Sequence, residues 1–521
     1  MHASFLMIRT LLLAVGVCLC LSGCGNGDGI AARPVLDPTY RPSGHAAAGD
    51  VFVHLFEWPW PAIANECETQ LGPKGFKAVQ ISPPQEDILG SQWWTRYQPV
   101  SYSIDQSRSG TRAQFIEMVT RCNAVHVDIY VDAVINHMTA GSGTGSNGTV
   151  YTKYNYPGLY AQSDFHPPCL VSNYQDAANV QDCELLGLAD LDTGSASVQQ
   201  KIADYLVGLA QLGVAGFRLD AAKHIQPMEL NAILTKVNQT LAAQGKPLPY
   251  FFAEVIDYGG EAVTAHDYFG LGYSSGGAAD ITEFKFRGVG DKFLGTGGQY
   301  LAQLNPNGSP GNQFSESAWG IMPSDKAVVF LENHDTQRSG GISYRVPAIY
   351  RLANVWMLAQ PYGYPSVMSS YSFDLTTQSG RDAGPPGTPP GCAANLEAVN
   401  TTGQWVCEHR DPAIANMIAF RRAVAGTVQT NWWDDGANAI AFSRGNKGFV
   451  AINGETFAVS HSFITGLGAG TYCDVLAGGV NNAVIPPVCV GQTITVDSNG
   501  NANFSLAAQT ALVLQTGVSV P

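Results

Sequence analysis

The sequence predicts an α/β protein built on a (β/α)8 (TIM) barrel, with a loop-rich domain inserted after the third strand and a C-terminal antiparallel β-sandwich. Three observations carry this. Short apolar runs alternate with helical patterns from about residue 50 to 427, and several are too uniformly apolar for a strand with one wet face, as in a buried parallel sheet. The third run is followed by a stretch, 137–189, dominated by Gly, Ser, Tyr and Asn. From 428 onward Val, Phe, Ala and Thr alternate between Gly and Asn punctuation, with no long helix.

The barrel runs are Val51–Phe56, Ala78–Ile81, Val127–Val134, Val214–Leu219, Tyr250–Val255, Ala327–Leu331 and Ser366–Met368. Between them, Arg112–Cys122, Val198–Leu212 and Ile349–Ala359 have helical spacing, with Leu206, Leu209, Ala210 and Leu212 as a candidate buried stripe. The catalytic barrel is thus expected over 50–136 and 190–427, the insertion over 137–189 and the β-domain over 428–521, with strands at Ala439–Arg444, Gly448–Asn453, Thr493–Val496 and Thr510–Leu514.

The N-terminus reads as an export leader. Arg9 precedes an apolar run, Leu11 to Leu21, too short to span a bilayer as a helix. Leu21-Ser22-Gly23-Cys24 resembles a bacterial lipobox, which would make 1–23 a lipoprotein-type signal peptide, Cys24 the lipidated residue and 24–49 a flexible tether. A plain secretory signal with a chance cysteine is the competing reading. Of 11 cysteines, three lie in the leader (Cys18, Cys20, Cys24) and eight beyond it, an even number that fits four disulfides in an exported chain. The expected set is Cys67–Cys122, Cys169–Cys183, Cys392–Cys407 and Cys473–Cys489, although eight cysteines allow 105 pairings. No CxxC pair suggests zinc.

Composition narrows the partners. Of the 521 residues 45% are hydrophobic and 13% charged, which is enough to bury a large core. The net charge of −14 repels phosphate backbones, so nucleic acid is not an expected partner. A monomer is expected, touching a membrane only through a lipid on Cys24.

Chemistry concentrates where acids follow apolar strands, the position of active sites in barrel enzymes. Four segments do this: DAVINH (Asp132–His137), GFRLDAAKH (Gly216–His224), EVIDYGGE (Glu254–Glu261) and ENHDTQR (Glu332–Arg338). A carboxylate buried without a partner is costly, so four such segments call for a partner, a metal or a catalytic task. Two decoys are set aside. Gly143-x-Gly145-x-x-Gly148 spells a dinucleotide fingerprint but sits in a polar loop with no helix following. The sequons at Asn147, Asn238 and Asn400 would be bare in a bacterial lipoprotein.

In order and content these four segments resemble the signature regions of the alpha-amylase family of glycoside hydrolases. SPPQEDI, WWTRYQPVSY, VTRCN, KIADYL, DYFG, MLAQPYGYPSVMSSY and WVCEHR extend the likeness to that family's animal-type branch over most of 51–521. The resemblance implies endo-hydrolysis of α-1,4 bonds in starch-like glucans with retention. Asp220 would be the nucleophile, Glu254 the general acid/base and Asp335 the acid that stabilises the transition state. The residues suit the chemistry, because an oxocarbenium-like state needs a proton for the leaving oxygen and negative charge beneath the anomeric carbon. Arg218 is expected to favour the Asp220 anion while neighbouring acids keep Glu254 protonated.

The resemblance further implies that Trp93, Trp94, Tyr97, Gln98, Asp132, His137, Tyr174, Arg218, Lys223, His224 and His334 bind sugar. Asn136, Gln181, Asp190 and His224 match a structural calcium site, the last through its backbone as also expected of Gln181. For chloride the match is incomplete: Arg218 and Asn333 are present, but Ser366 stands where the second arginine would be, so little chloride activation is expected. Ser339–Tyr344 also departs from the branch's longer glycine-rich loop. Two other readings remain open: an exo-acting maltooligosaccharide-forming glucosidase or transglycosylase on the same scaffold, and a non-catalytic glucan-binding surface lipoprotein.

Overall fold

Eight parallel strands close the central barrel in the order β1-β8-β7-β6-β5-β4-β3-β2. They are β1 (Phe52–Leu55), β2 (Ala78–Ile81), β3 (Asp128–Ala133), β4 (Gly216–Leu219), β5 (Tyr250–Ala253), β6 (Ala278–Thr282), β7 (Ala327–Val329) and β8 (Tyr364–Ser369). The structure, a computed structural model, describes residues 42–269, 278–387 and 390–520; the leader and Cys24 lie outside them.

The pleat sorts side chains by face. Phe217 and Leu219 of β4, like Ile129, Val131 and Ala133 of β3, point outward into the core beneath the helices. The inward positions are layered along the axis. At the bottom Phe52, Tyr130, Tyr250, Phe252, Val328 and Tyr364 form an apolar plug. The next inward positions toward the C-terminal ends are Asp132 on β3, Arg218 and Asp220 on and after β4, and Glu254 after β5. Gly216 makes room for the plug, since a Cβ there would lie 2.7 Å from Tyr130 Cδ1.

The outer helices include α1 (Arg112–Ala124), α2 (Ala196–Gln211), α3 (Pro227–Ala243) and α4 (Pro347–Ala359). A capping box starts α1, where the Thr111 hydroxyl accepts from Gln114 N–H and the Gln114 side chain accepts from Thr111 N–H. On α2 the buried face runs through Val198, Ile202, Ala203, Tyr205, Leu206 and Leu209; Ala210 and Leu212, expected in that stripe, are only half-buried.

Two expectations need correction. β6 escaped the sequence reading because AADIT carries Asp280 in its middle, which broke the apolar run. The structure buries that carboxylate with Tyr250 O–H (2.8 Å) and Ser43 O–H (2.8 Å) as donors, so burial here is stabilised by hydrogen bonds and not by apolarity. The second concerns the tether. Its C-terminal end is ordered, with His45–Ala48 forming a helical turn and the His45 ring stacked on Tyr364 at 4.3 Å, so residues 43–49 belong to the folded base.

The C-terminal β-domain contains a four-stranded antiparallel sheet, β9 (Gln429–Asp434), β10 (Ala439–Arg444), β11 (Gly448–Asn453) and, as its far edge, Thr510–Gln515. Both faces are covered. Ile440, Phe442, Val450 and Ile452 join the barrel core, while Ala441, Phe449 and Ala451 face a second cluster with Phe463 and Phe504. This explains why β10 and β11 are buried along their whole length. Disulfides join Cys67 to Cys122, Cys169 to Cys183, Cys392 to Cys407 and Cys473 to Cys489.

Candidate active site

Arg218 organises the mouth of the barrel. Its Nη1 donates to Asp132 Oδ1 (2.5 Å) and Asp220 Oδ1 (2.8 Å), and its Nη2 donates to Glu254 Oε1. One buried guanidinium therefore serves three carboxylates on three successive strands, a use that suits its fixed fork of donors. Arg218 meets Asp220, the residue it was expected to act on, and reaches Glu254 as well. Burial, the largest influence, raises the carboxyls of Asp132, Asp220 and Glu254 above their ordinary range, Arg218 opposes it, and neighbouring acids add to it. With three acids on one cation, the cluster retains a proton into the neutral range.

Local backbone completes the arrangement. Ala221 adopts φ 49°, a left-handed conformation uncommon for a residue with a Cβ. It aims its N–H at Glu254 Oε2 (2.9 Å). Asp335 follows β7, its side chain 40% exposed and 3.3 Å from His334 Nε2; it is the most accessible of the three candidate catalytic acids. Burial holds His334 well below its usual pKa and lowers His137 and His224 to about 4, so all three rings are neutral near pH 7.

These acids line a cleft of about 580 Å³. Trp93, Trp94, Tyr97, Gln98, His137, Tyr174, Lys223, His224 and His334 all face it, together with Asp220, Glu254 and Asp335. Asp132 and Arg218 do not. They lie beneath, where Tyr97 O–H donates to Asp132 Oδ2 (2.9 Å), so their contribution is to hold the wall. The Tyr97 ring stacks on His334 at 5.1 Å, and Arg338 lies 4.4 Å from the Trp93 ring. Lys223 Nζ donates to Ile256 O and pairs with Glu261, and sits 5.2 Å from the Tyr174 ring.

Eight lining residues were not singled out from sequence: Ala140, Ala221, Leu185, Leu186, Leu188, Ile256, Tyr258 and Glu261. The last three stand in the quoted EVIDYGGE segment; period-two spacing from Glu254 was the available signal for Ile256 and Tyr258, and Glu261, seven residues on, does not follow it. The leucines come from the insertion, where nothing marks an exposed Leu186 as facing a cleft.

The expected cation residues are also gathered. Asp190 is 2% exposed. Its Oδ1 is 3.3 Å from the Asn136 amide nitrogen and its Oδ2 2.8 Å from His166 Nδ1. Burial pushes its carboxyl up to about 7, against the opposing pull of His166. His224 Nδ1 bonds Val180 O (2.8 Å), and Gln181 Nε2 donates to Tyr268 O–H (2.8 Å). Among the described residues no three His, Cys, Asp or Glu side chains converge as a metal cluster, so any cation would rest on one carboxylate with amide and carbonyl oxygens, a hard-oxygen set.

Below the acids lies a cavity of about 30 Å³ lined by Arg218, Asn333 and Ser366 among others. Asn333 Oδ1 accepts from the N–H groups of Asp335 (3.1 Å) and Thr336 (2.8 Å). The Gly143–Gly148 stretch forms the tip of a short hairpin, with Asn147 and Thr149 N–H donating to Glu86 Oε1 (3.0 and 3.1 Å).

Residues 75–361 match the family model described as alpha amylase, catalytic domain, and residues 430–517 match alpha amylase, C-terminal all-beta domain. The alpha-amylase of Tribolium castaneum is 45% identical over 480 residues, covering 89% of this chain and 92% of the relative. That of Streptomyces violaceus is 44% identical over 472 residues, covering 90% and 74%. A crystal structure of Eisenia fetida alpha-amylase I, a glutamate-to-glutamine variant in complex with maltohexaose, superposes with a TM-score of 0.79 at 37% identity, covering 92% of this chain and 98% of that one. Agreement of this depth along nine-tenths of the sequence leads to one conclusion: the chain belongs to the alpha-amylase family of glycoside hydrolases.

Proposed function

We propose that this chain is an endo-acting α-amylase that hydrolyses internal α-1,4 bonds of starch-like glucans with retention. The observation that carries the reading is the grip of one guanidinium on both Asp220 and Glu254, because retention needs the two carboxyls only about 5 Å apart. In the first step Glu254 donates its proton to the glycosidic oxygen while Asp220 attacks the anomeric carbon, so the C–O bond breaks and a glycosyl ester forms. In the second, Glu254 takes a proton from water, whose oxygen displaces Asp220. Asp335 and the neutral His334 beside it hold ring hydroxyls, and Trp93, Trp94 and Tyr174 offer faces for stacking.

Digesting soluble starch while following viscosity and product anomer by NMR tests the reading. Early viscosity loss with α-anomers is expected. A single small product from the chain end would favour the exo-acting alternative, and no hydrolysis the non-catalytic one.

Asn136 and Asp190, with backbone oxygens of Gln181 and His224, would hold a structural calcium, which would add positive charge beside the buried Asp190 carboxylate and tie the insertion to the barrel. Calcium at 100 times its Kd would stabilise the fold by about 2.7 kcal/mol. The expected result is a lower unfolding midpoint in chelator, restored by calcium; equal midpoints, with no calcium by elemental analysis, would refute the site.

Chloride should matter little, because Ser366 brings no charge and Arg218 is committed to carboxylates. Adding chloride to chloride-free enzyme is expected to leave turnover nearly flat; a large saturable rise would overturn this. Export, with Cys24 as an anchor to the cell envelope, is part of the same proposal, and mass spectrometry of the mature N-terminus reads it directly.

A further inference from the structure

A second hollow, of about 290 Å³, adjoins the cleft and shares one lining residue with it, Tyr258. Its floor is apolar, made by Phe284, Leu331 and Ile342, which are 2%, 3% and 5% exposed. Its rim is polar, with Arg287 and Asp291. An apolar floor beneath charged donors and acceptors suits a pyranose ring, with its apolar face and hydroxyl edge.

Tyr258 stands at the junction, 56% exposed, where its ring is accessible from both the cleft and the hollow. It is not loose. Arg287 Nη1 donates to its hydroxyl (2.8 Å), and its ring meets Phe284 edge to face at 5.9 Å. Arg287 is under-used for a guanidinium: its buried Nε has no partner among the described residues. The opposite wall is Gly341 and Ile342, within the Ser339–Tyr344 segment. Gly341 (φ +101°) has no Cβ, which would lie 3.5 Å from Arg287 Nη2, so that side of the guanidinium stays open.

We propose that this hollow is an accessory binding site for one glucosyl unit of the leaving portion of the glucan, reached past Tyr258 and held by Arg287 and Asp291. This rests on the proposed function: if Glu254 protonates the leaving oxygen, the Ile256–Glu261 stretch that follows it flanks the leaving chain. The site therefore serves long substrates and is not reached by short ones.

Steady-state kinetics on maltotriose and maltooctaose with wild type, Arg287→Ala and Arg287→Lys tests it. For Arg287→Ala, KM for maltooctaose is expected to rise about ten-fold, the effect of one lost charge-assisted hydrogen bond, with kcat unchanged and maltotriose kinetics unaffected. Arg287→Lys should keep part of the gain. Equal losses on both lengths, or no loss on either, overturn the proposal. If Arg287→Ala lacks a cooperative unfolding transition, Asp291→Ala on the half-exposed rim is read by the same criterion. Wild type inactive on maltooctaose would sink the amylase reading itself, whereas activity without length-selective loss sinks only the accessory site.

Discussion

Glu254→Gln lowers turnover on starch by about 10²–10⁴-fold, the usual contribution of a positioned general acid, while maltooligosaccharides still bind. The amide keeps the shape and one acceptor for the Ala221 N–H but has no proton to give the leaving oxygen. Most of the cleft wall is made by other residues, so affinity for maltoheptaose by calorimetry should stay near wild type. A substrate with an acidic phenol as leaving group needs less protonation and should lose less in the first step. Near wild-type turnover on starch would sink the role given to Glu254, and a similar loss on both substrates would point to misplacement of Asp220 instead.

Removing the Arg218 guanidinium has the next largest effect. Its side chain is 4% exposed and bonds three carboxylates, and stripping one partner from a buried ion pair costs about 3–5 kcal/mol. Arg218→Leu should therefore lower stability by that order and kcat by about 10²–10³, as for loss of a preorganised electrostatic group. The pH dependence has a definite sign. The cluster carboxyls already titrate above their unfolded values, so the folded state holds extra protons; the associated stability is complete below about pH 4 and is lost as pH rises toward neutrality. Without Arg218 these groups move higher still. Stability should then fall more steeply with rising pH, and the acidic limb of the rate profile, set by ionisation of Asp220, should move to higher pH. Arg218→Lys keeps the charge but not the fork and should recover part of the limb position. A slower variant with an unmoved limb would mean that Arg218 only packs.

What could be read from the chain alone follows from where the physics is local. Strands β1 to β5, β7 and β8 announced themselves because burial on both faces demands apolar runs, and acids placed just past such runs stood out against that background. Disulfide partners close in sequence were legible for the same reason. Three-dimensional placement decided the rest. β6 was hidden because Asp280 finds its donors, Tyr250 and Ser43, on distant parts of the chain. Residues 43–49 fold onto the base because Tyr364 and Asp280 wait there for them. Asp132 and Arg218, assigned to sugar contact from sequence, lie one layer below the cleft, since inward positions along a strand share a face but differ in depth. Sequence spacing put Arg218 on the side of Asp220, but only the closure of the barrel brought Glu254 to the same guanidinium, because strand neighbours around a ring are set by topology and not by distance along the chain.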